Sequence, residues 1–141
     1  MPLKLSLKPH EKFVVNGAVL MNGERRAHLV VENNVSILRD KDIMQPEDAK
    51  TPAKRVYFPI MMLYLDTESS ERYYEEFVAR MSEFMGAVSD RGALLLCVDL
   101  SRDVLQGDYY RALMKCRKLF DFENLRLKYA PASLREDATS V

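Results

Sequence analysis

Residues 16–23 read Asn-Gly-Ala-Val-Leu-Met-Asn-Gly, and the two Asn-Gly pairs around this short apolar run decide how the first third of the chain folds. Asn-Gly is the strongest short-range hairpin signal, because both residues tolerate the positive φ that a type I′ turn demands. Upstream, Lys12-Phe13-Val14-Val15 runs into the first pair; Ala18 to Met21 leaves it for the second. Reversals this tight leave no room for an active-site loop but present a flat face.

Working outward, Leu3, Leu5 and Leu7 alternate with Lys4, Ser6 and Lys8, a half-buried strand closed by Pro9. Arg25 to Glu32 reads as a longer strand with Ala27, Leu29 and Val31 on one face. Asn33-Asn34 is a further turn before Val35 to Arg39. Five short strands in succession predict an antiparallel β-meander or small open barrel over residues 1–45.

The pattern changes after Asp40. Thr51-Pro52 reads as an N-cap with Pro at the first helical position. Lys54 to Leu65 is apolar, and Pro59 within it either kinks a helix or starts one. From Glu68 to Val88 the residues Tyr73, Tyr74, Phe77, Met81, Phe84, Met85 and Val88 fall at helical spacing, with Glu68–Arg72 and Glu76–Arg80 as i,i+4 pairs. Ala93 to Leu105 predicts a third helix, although LLLCVDL alone is compatible with a buried strand. Asp108 caps a fourth from Tyr109 to Phe122, with Tyr109, Leu113, Cys116 and Phe120 as core and Arg111, Lys115 and Lys118 facing outward. Residues 46–128 are thus helical, packed on the sheet or forming a dimer seam, and 129–141 read as a disordered tail. Strands followed by helices make an α+β fold in one structural unit of three to four helices, not a parallel α/β fold.

The chain of 141 residues carries 21 basic and 21 acidic side chains, so no global field points to nucleic acid or membrane. The charges are nevertheless patterned. Residues 1–39 hold six basic residues and three acids, residues 71–90 two and five, and residues 108–128 six and three. Cys97 and Cys116 stand without a CxxC and read as free thiols of a reducing compartment. No segment has the ~20 apolar residues of a membrane helix, and the N-terminus lacks the apolar run of a signal peptide, so a cytoplasmic location is expected.

No GxGxxG, P-loop, HExxH or GxSxG is present, and neither His10 nor His28 has a second ligand at metal spacing. A non-enzymatic protein without cofactor or metal is therefore expected. Asp40 and Asp42 mark a strand-to-helix junction more simply than an acid/base pair. The cations of the sheet are more informative. Lys4, Lys8 and Lys12, with Arg25, Arg26 and Arg39 from later strands, either blunt the sheet edges or face the phosphates and splayed bases of RNA.

Three stretches, MPLKLSLKPHEKFVVNGAVLMNG, ILRDKDIM with TPAKRVYF, and LQGDYYRALMKCRKLFDFE, resemble the flagellar biosynthesis repressor family FlbT of alphaproteobacteria. The resemblance runs in order over roughly residues 1–125, with Pro59 as a departure. It implies a post-transcriptional regulator that binds the 5′ untranslated region of flagellin mRNA and promotes its decay, or in some members activates. A narrower likeness joins EKFVVNGAVLMNGERRAHLVVENNVSILRDKDI to the sheet of the carbon storage regulator family. There an Arg closing the last strand meets RNA, which singles out Arg39. The expected partner is flagellin mRNA, read by a homodimer whose assembly covers its sheet edges. The alternative is a protein-interaction module that engages flagellin or a flagellar secretion partner through the acidic helix around Glu75, Glu76 and Glu83.

Overall fold

At the Asn16-Gly17 pair the backbone takes φ +49 and +85, two successive left-handed residues that turn β2 (Lys12–Val15) directly into β3 (Ala18–Met21). The Asn16 Oδ1 accepts from the Ser36 amide at 2.9 Å, and the Asn16 amide donates to the Ser36 carbonyl at 2.8 Å. That ties the turn to the entry of β5 (Ile37–Arg39), which pairs with the other edge of β2. The second Asn-Gly pair behaves differently. Gly23 is not in the left-handed region, and the hairpin continues past Met21, with the Asn22 amide donating to Glu11 O and Gly23 O accepting from His10. The chain then crosses to β4 (Ala27–Val31), which pairs antiparallel with β1 (Leu3–Leu7).

The structure, a computed structural model, describes residues 3–66 and 68–129. Its five strands form two antiparallel sheets, β1-β4 and β3-β2-β5, that do not close into a barrel. The predicted strand over 25–32 starts at Ala27, leaving Arg25 and Arg26 in the connection, and the predicted strand over 35–39 shortens to three residues. Opposite Leu5 and Leu7, both buried, Leu29 and Ala27 occupy the same face, as their alternation requires. Phe13 and Val14 are both buried, so the central strand β2 is covered on both faces. Lys8 to Glu11 reverse between β1 and β2, with Pro9 second and His10 third at φ +60, the positive φ a type II turn needs.

Contacts divide the chain into two compact units, Met1–Ile43 and Met44–Val141. In the second unit, the Thr51 side chain accepts from Lys54 N at the start of α1 (Pro52–Leu65), with Pro52 at the first helical position as expected. α1 passes through Pro59 without ending, so Pro59 neither starts nor stops it. α1 is buried nearly all round at Ala53, Val56, Tyr57, Pro59, Ile60, Met61 and Leu63 because it packs against both α2 (Ser70–Ala87) and α4 (Tyr109–Tyr129). Burying each large side chain contributes about 1.5–3 kcal/mol, enough together to offset the ~3 kcal/mol of a mid-helix proline. Its first turn is also docked, the Ala53 amide donating to Glu123 Oε2 at 2.9 Å and the Cys116 thiol to Ala53 O at 3.7 Å. A carboxylate there also meets the positive end of the helix dipole.

α2 turns Phe77, Met81 and Phe84 inward, and Glu76–Arg80 forms at 2.7 Å. Glu68–Arg72 does not, because the helix starts at Ser70 and Glu68 lies outside it. α3 (Arg91–Leu105) is a helix throughout, capped by Asp90 Oδ1 on Ala93 N at 2.8 Å, and it packs on α4. The core of α4 is Ala112, Leu113, Cys116 and Leu119, with Tyr109 and Phe120 at its margins. Lys115 does not face outward as expected; its ammonium lies 2.7 Å from Asp103 and 3.0 Å from Asp99 of α3. Both thiols are free and buried, and burial pushes Cys97 up to about 11 and Cys116 upward as well. The tail from residue 130 lies outside the described residues.

Candidate nucleic-acid interface

All six cations singled out from the sequence lie in the first unit, and the structure separates them into groups. Lys4 sits on β1 opposite Val30, on the face that also carries Ser6 and His28. Arg26 reaches that face, its Nη1 donating to Ser6 Oγ at 2.9 Å. Arg25 stays in the β3–β4 connection, where its carbonyl accepts from Asn22 Nδ2. Lys12 pairs with Met21 on the face of β2 opposite to that of Phe13 and Arg39. Lys8 and Arg39 line one cleft.

Arg39 ends β5, opposite Phe13, and its guanidinium is held by two elements of the same unit. Nε donates to Glu11 Oε2 at 3.0 Å, Nη2 to both Glu11 oxygens at 3.0 and 2.9 Å, and Nη2 also to the Ser6 carbonyl. The acidic partner is not one of the neighbouring carboxylates Asp40 and Asp42 but Glu11, 28 residues away. The Lys8 backbone amide also donates to Glu11 Oε1 at 3.0 Å. That bond, with the Arg39 guanidinium, holds the Glu11 carboxyl below the usual carboxylate range against the opposing effect of burial.

Around this pair lies an open cleft of about 380 Å³ lined by Lys8, Glu11, Arg39, Asp40 and Lys41. Among the described residues, neither Lys8 nor Lys41 has an acidic partner within ion-pair distance, and nothing bonds Arg39 Nη1. Lys41 is the residue the sequence reading missed. It stands in the same RDKDI segment as Arg39, yet only a lining surface shows that the two converge. No local signal marked Glu11.

Other groups offer less chemistry. Among the described residues no cluster of three or more His, Cys, Asp or Glu is placed to hold a metal ion, and no helix is long and apolar enough to cross a membrane.

The family described as "Flagellar protein FlbT" matches residues 3–127. A protein of Caulobacter sp. (strain K31), named a probable flagellum biosynthesis repressor protein FlbT, is 56% identical over 127 residues, 90% of this chain and 97% of the relative. The flagellum biosynthesis repressor protein FlbT of Caulobacter vibrioides (strain ATCC 19089) is 52% identical over 134 residues, 95% of each chain. A Bradyrhizobium diazoefficiens protein, named probable flagellum biosynthesis repressor protein FlbT 1, is 35% identical over 140 residues, 98% of this chain and 94% of its own. No solved structure matches. With a family match over most of its length and relatives that align nearly end to end, the chain belongs to the FlbT family of flagellar proteins.

Proposed function

We propose that this protein is a non-enzymatic, cytoplasmic regulator of flagellum biosynthesis that binds the 5′ untranslated region of flagellin mRNA and lowers its translation or lifetime. The names of its relatives supply the flagellar and repressor part of this reading. The RNA part rests chiefly on one observation, the cleft in a net-basic unit where Lys8, Arg39 and Lys41 converge. Amino groups without acidic partners bind phosphate at little competing cost and release counterions on doing so. The sequence carries none of the common catalytic motifs, and in this reading decay of the message is indirect, through remodelled RNA structure or a recruited ribonuclease. The working form is a homodimer, which doubles the RNA contacts and covers β3, whose Val19, Leu20 and Met21 are exposed on an edge that, among the described residues, pairs only with β2. The test is anisotropy of a labelled flagellin-leader transcript from the same genome, titrated with the full chain at several salt concentrations. The affinity falls with a log–log slope of about −0.7 per phosphate contact. Binding absent at all salts refutes the reading.

A second reading has its own observation. On α3, Leu95 (65% exposed), Val98 (48%) and Leu105 (70%) form an outward apolar stripe at 3- and 7-residue spacing, opposite the face that packs on α4. Such a stripe suits an apolar helix of a protein partner, flagellin or a secretion partner, better than the acidic α2 does, where Glu76 and Glu83 are already engaged by Arg80. Pull-down of flagellin by the full chain in the absence of RNA decides for this alternative.

A further inference from the structure

We infer that the cleft bounded by Lys8 and Lys41 is a backbone-phosphate site, with Arg39 as its fixed floor and Glu11 as the residue that positions Arg39. This rests on the RNA-binding reading above and goes further, because it assigns Lys41, sets a mode of contact and excludes another.

A guanidinium reads a base edge or grips a phosphate in two-point fashion through two parallel N–H groups. In Arg39 the Nε–Nη2 edge is closed by Glu11, and Nη2 donates in addition to Ser6 O. Only Nη1 remains, so both two-point forks are lost and one donor nitrogen, with two diverging N–H groups, is left. A single donor nitrogen on a side chain that cannot swing carries little base discrimination but suits an oxygen of a phosphodiester. The carboxylate that orients Arg39 is itself neutralised by it, so it repels an incoming anion far less than a free carboxylate would.

The remaining lining sets the sign of the field. Lys8 and Lys41 are exposed ammonium groups without acidic partners among the described residues, and Asp40 is an exposed carboxylate between Arg39 and Lys41. With Glu11 and Arg39 cancelling, two cations oppose one anion, and the cleft is net positive. Asp40 lowers its affinity for phosphate, and removing that charge strengthens binding. A purely structural role for these exposed side chains predicts no change in either direction.

The experiment uses the full chain and the labelled flagellin-leader transcript, with Lys8→Gln, Lys41→Gln, the double variant, Asp40→Asn and, as an exposed cation of the other unit, Lys118→Gln. Circular dichroism melts establish that each is folded. Each lysine substitution is expected to raise Kd several-fold and flatten the log–log salt slope by about 0.7, the double variant by about 1.4. Asp40→Asn is expected to lower Kd, and Lys118→Gln to leave Kd and slope unchanged. If the parent binds RNA and the double variant keeps its slope, or Lys118→Gln loses as much, the cleft assignment falls while RNA binding stands. If the parent binds no RNA at any salt, both fall together.

Discussion

Glu11 and Arg39 lie 28 residues apart and meet through both Nε and Nη2, so one carboxylate fixes the end of β5 to the turn between β1 and β2. Glu11 is also bonded by the Lys8 amide, and its folded-state carboxyl titrates below the ordinary value of 4.5. A carboxyl lowered by folding contributes stability that is present above its unfolded value and lost as pH falls through the folded one. The first unit should therefore loosen in acid, below about pH 4.5. Glu11→Gln should flatten that part of the stability–pH profile, measured by urea melts between about pH 3 and 7.

Arg39→Lys retains the charge and loses the geometry. A lysine ammonium is a single point and cannot bond both Glu11 oxygens in parallel while reaching Ser6 O. Arg39→Lys and Arg39→Ala should both lower the melting temperature, the alanine variant by about 3–8 °C. An unchanged melting temperature in Arg39→Ala would show that the side chain does not hold the unit together.

Gly17 sits at φ +85, where a Cβ crowds the following carbonyl. Gly17→Ala should cost about 1–2 kcal/mol in chemical denaturation. Gly23, outside the left-handed region and with nothing within 4 Å of an added Cβ, should accept alanine with no comparable loss.

Lys115 bridges α4 to Asp99 and Asp103 of α3, and Asp103 is buried. Lys115→Met removes the cation and leaves that carboxylate without compensation, so the melting temperature should fall. Lys115→Met with Asp103→Leu should recover much of it. The bonds to Asp103 and then Asp99 raise the Lys115 ammonium above its ordinary value, so its contribution is complete below about pH 10.5 and fades only as pH rises through the raised value.

Cys97, pushed up to about 11, is about one-thousandth thiolate at pH 8, and burial raises the Cys116 thiol as well. Ellman's reagent should label neither thiol over minutes in the native protein and both after denaturation. Prompt native labelling would mean that the helical unit opens far more often than its buried core implies.

Much of this was legible in the chain because the informative signals are local. Asn16-Gly17 dictates its turn, Thr51-Pro52 the start of α1, and the spacing of Phe77, Met81 and Phe84 the inner face of α2. What stayed hidden is non-local. Nothing near Asn22-Gly23 tells that the chain continues alongside His10 and Glu11 instead of folding back, since that depends on β1 taking β4 as partner. Pro59 argued for a boundary on propensity, and packing on two sides of α1 overrode it. Arg39 was visible as a special cation, but its partner lies on another strand connection, and Lys41 joins it only once the segment after β5 has its three-dimensional course.

Asn22 carries a hazard of its own. Its side-chain nitrogen donates to three carbonyls, Leu7 O at 3.3 Å, Lys8 O at 2.8 Å and Arg25 O at 2.9 Å, joining β1, the β1–β2 turn and the crossing to β4. An amide can do this because it is all donor on that side; a carboxylate is all acceptor. Spontaneous hydrolysis of asparagine to aspartate is fastest when glycine follows, as Gly23 does here. In an aged sample the change would set a negative charge against three oxygens that now share its hydrogens. The knot of the β unit is thus also the place where chemical ageing would undo it, and Asn22→Asp reproduces the added charge of that change in a fresh preparation.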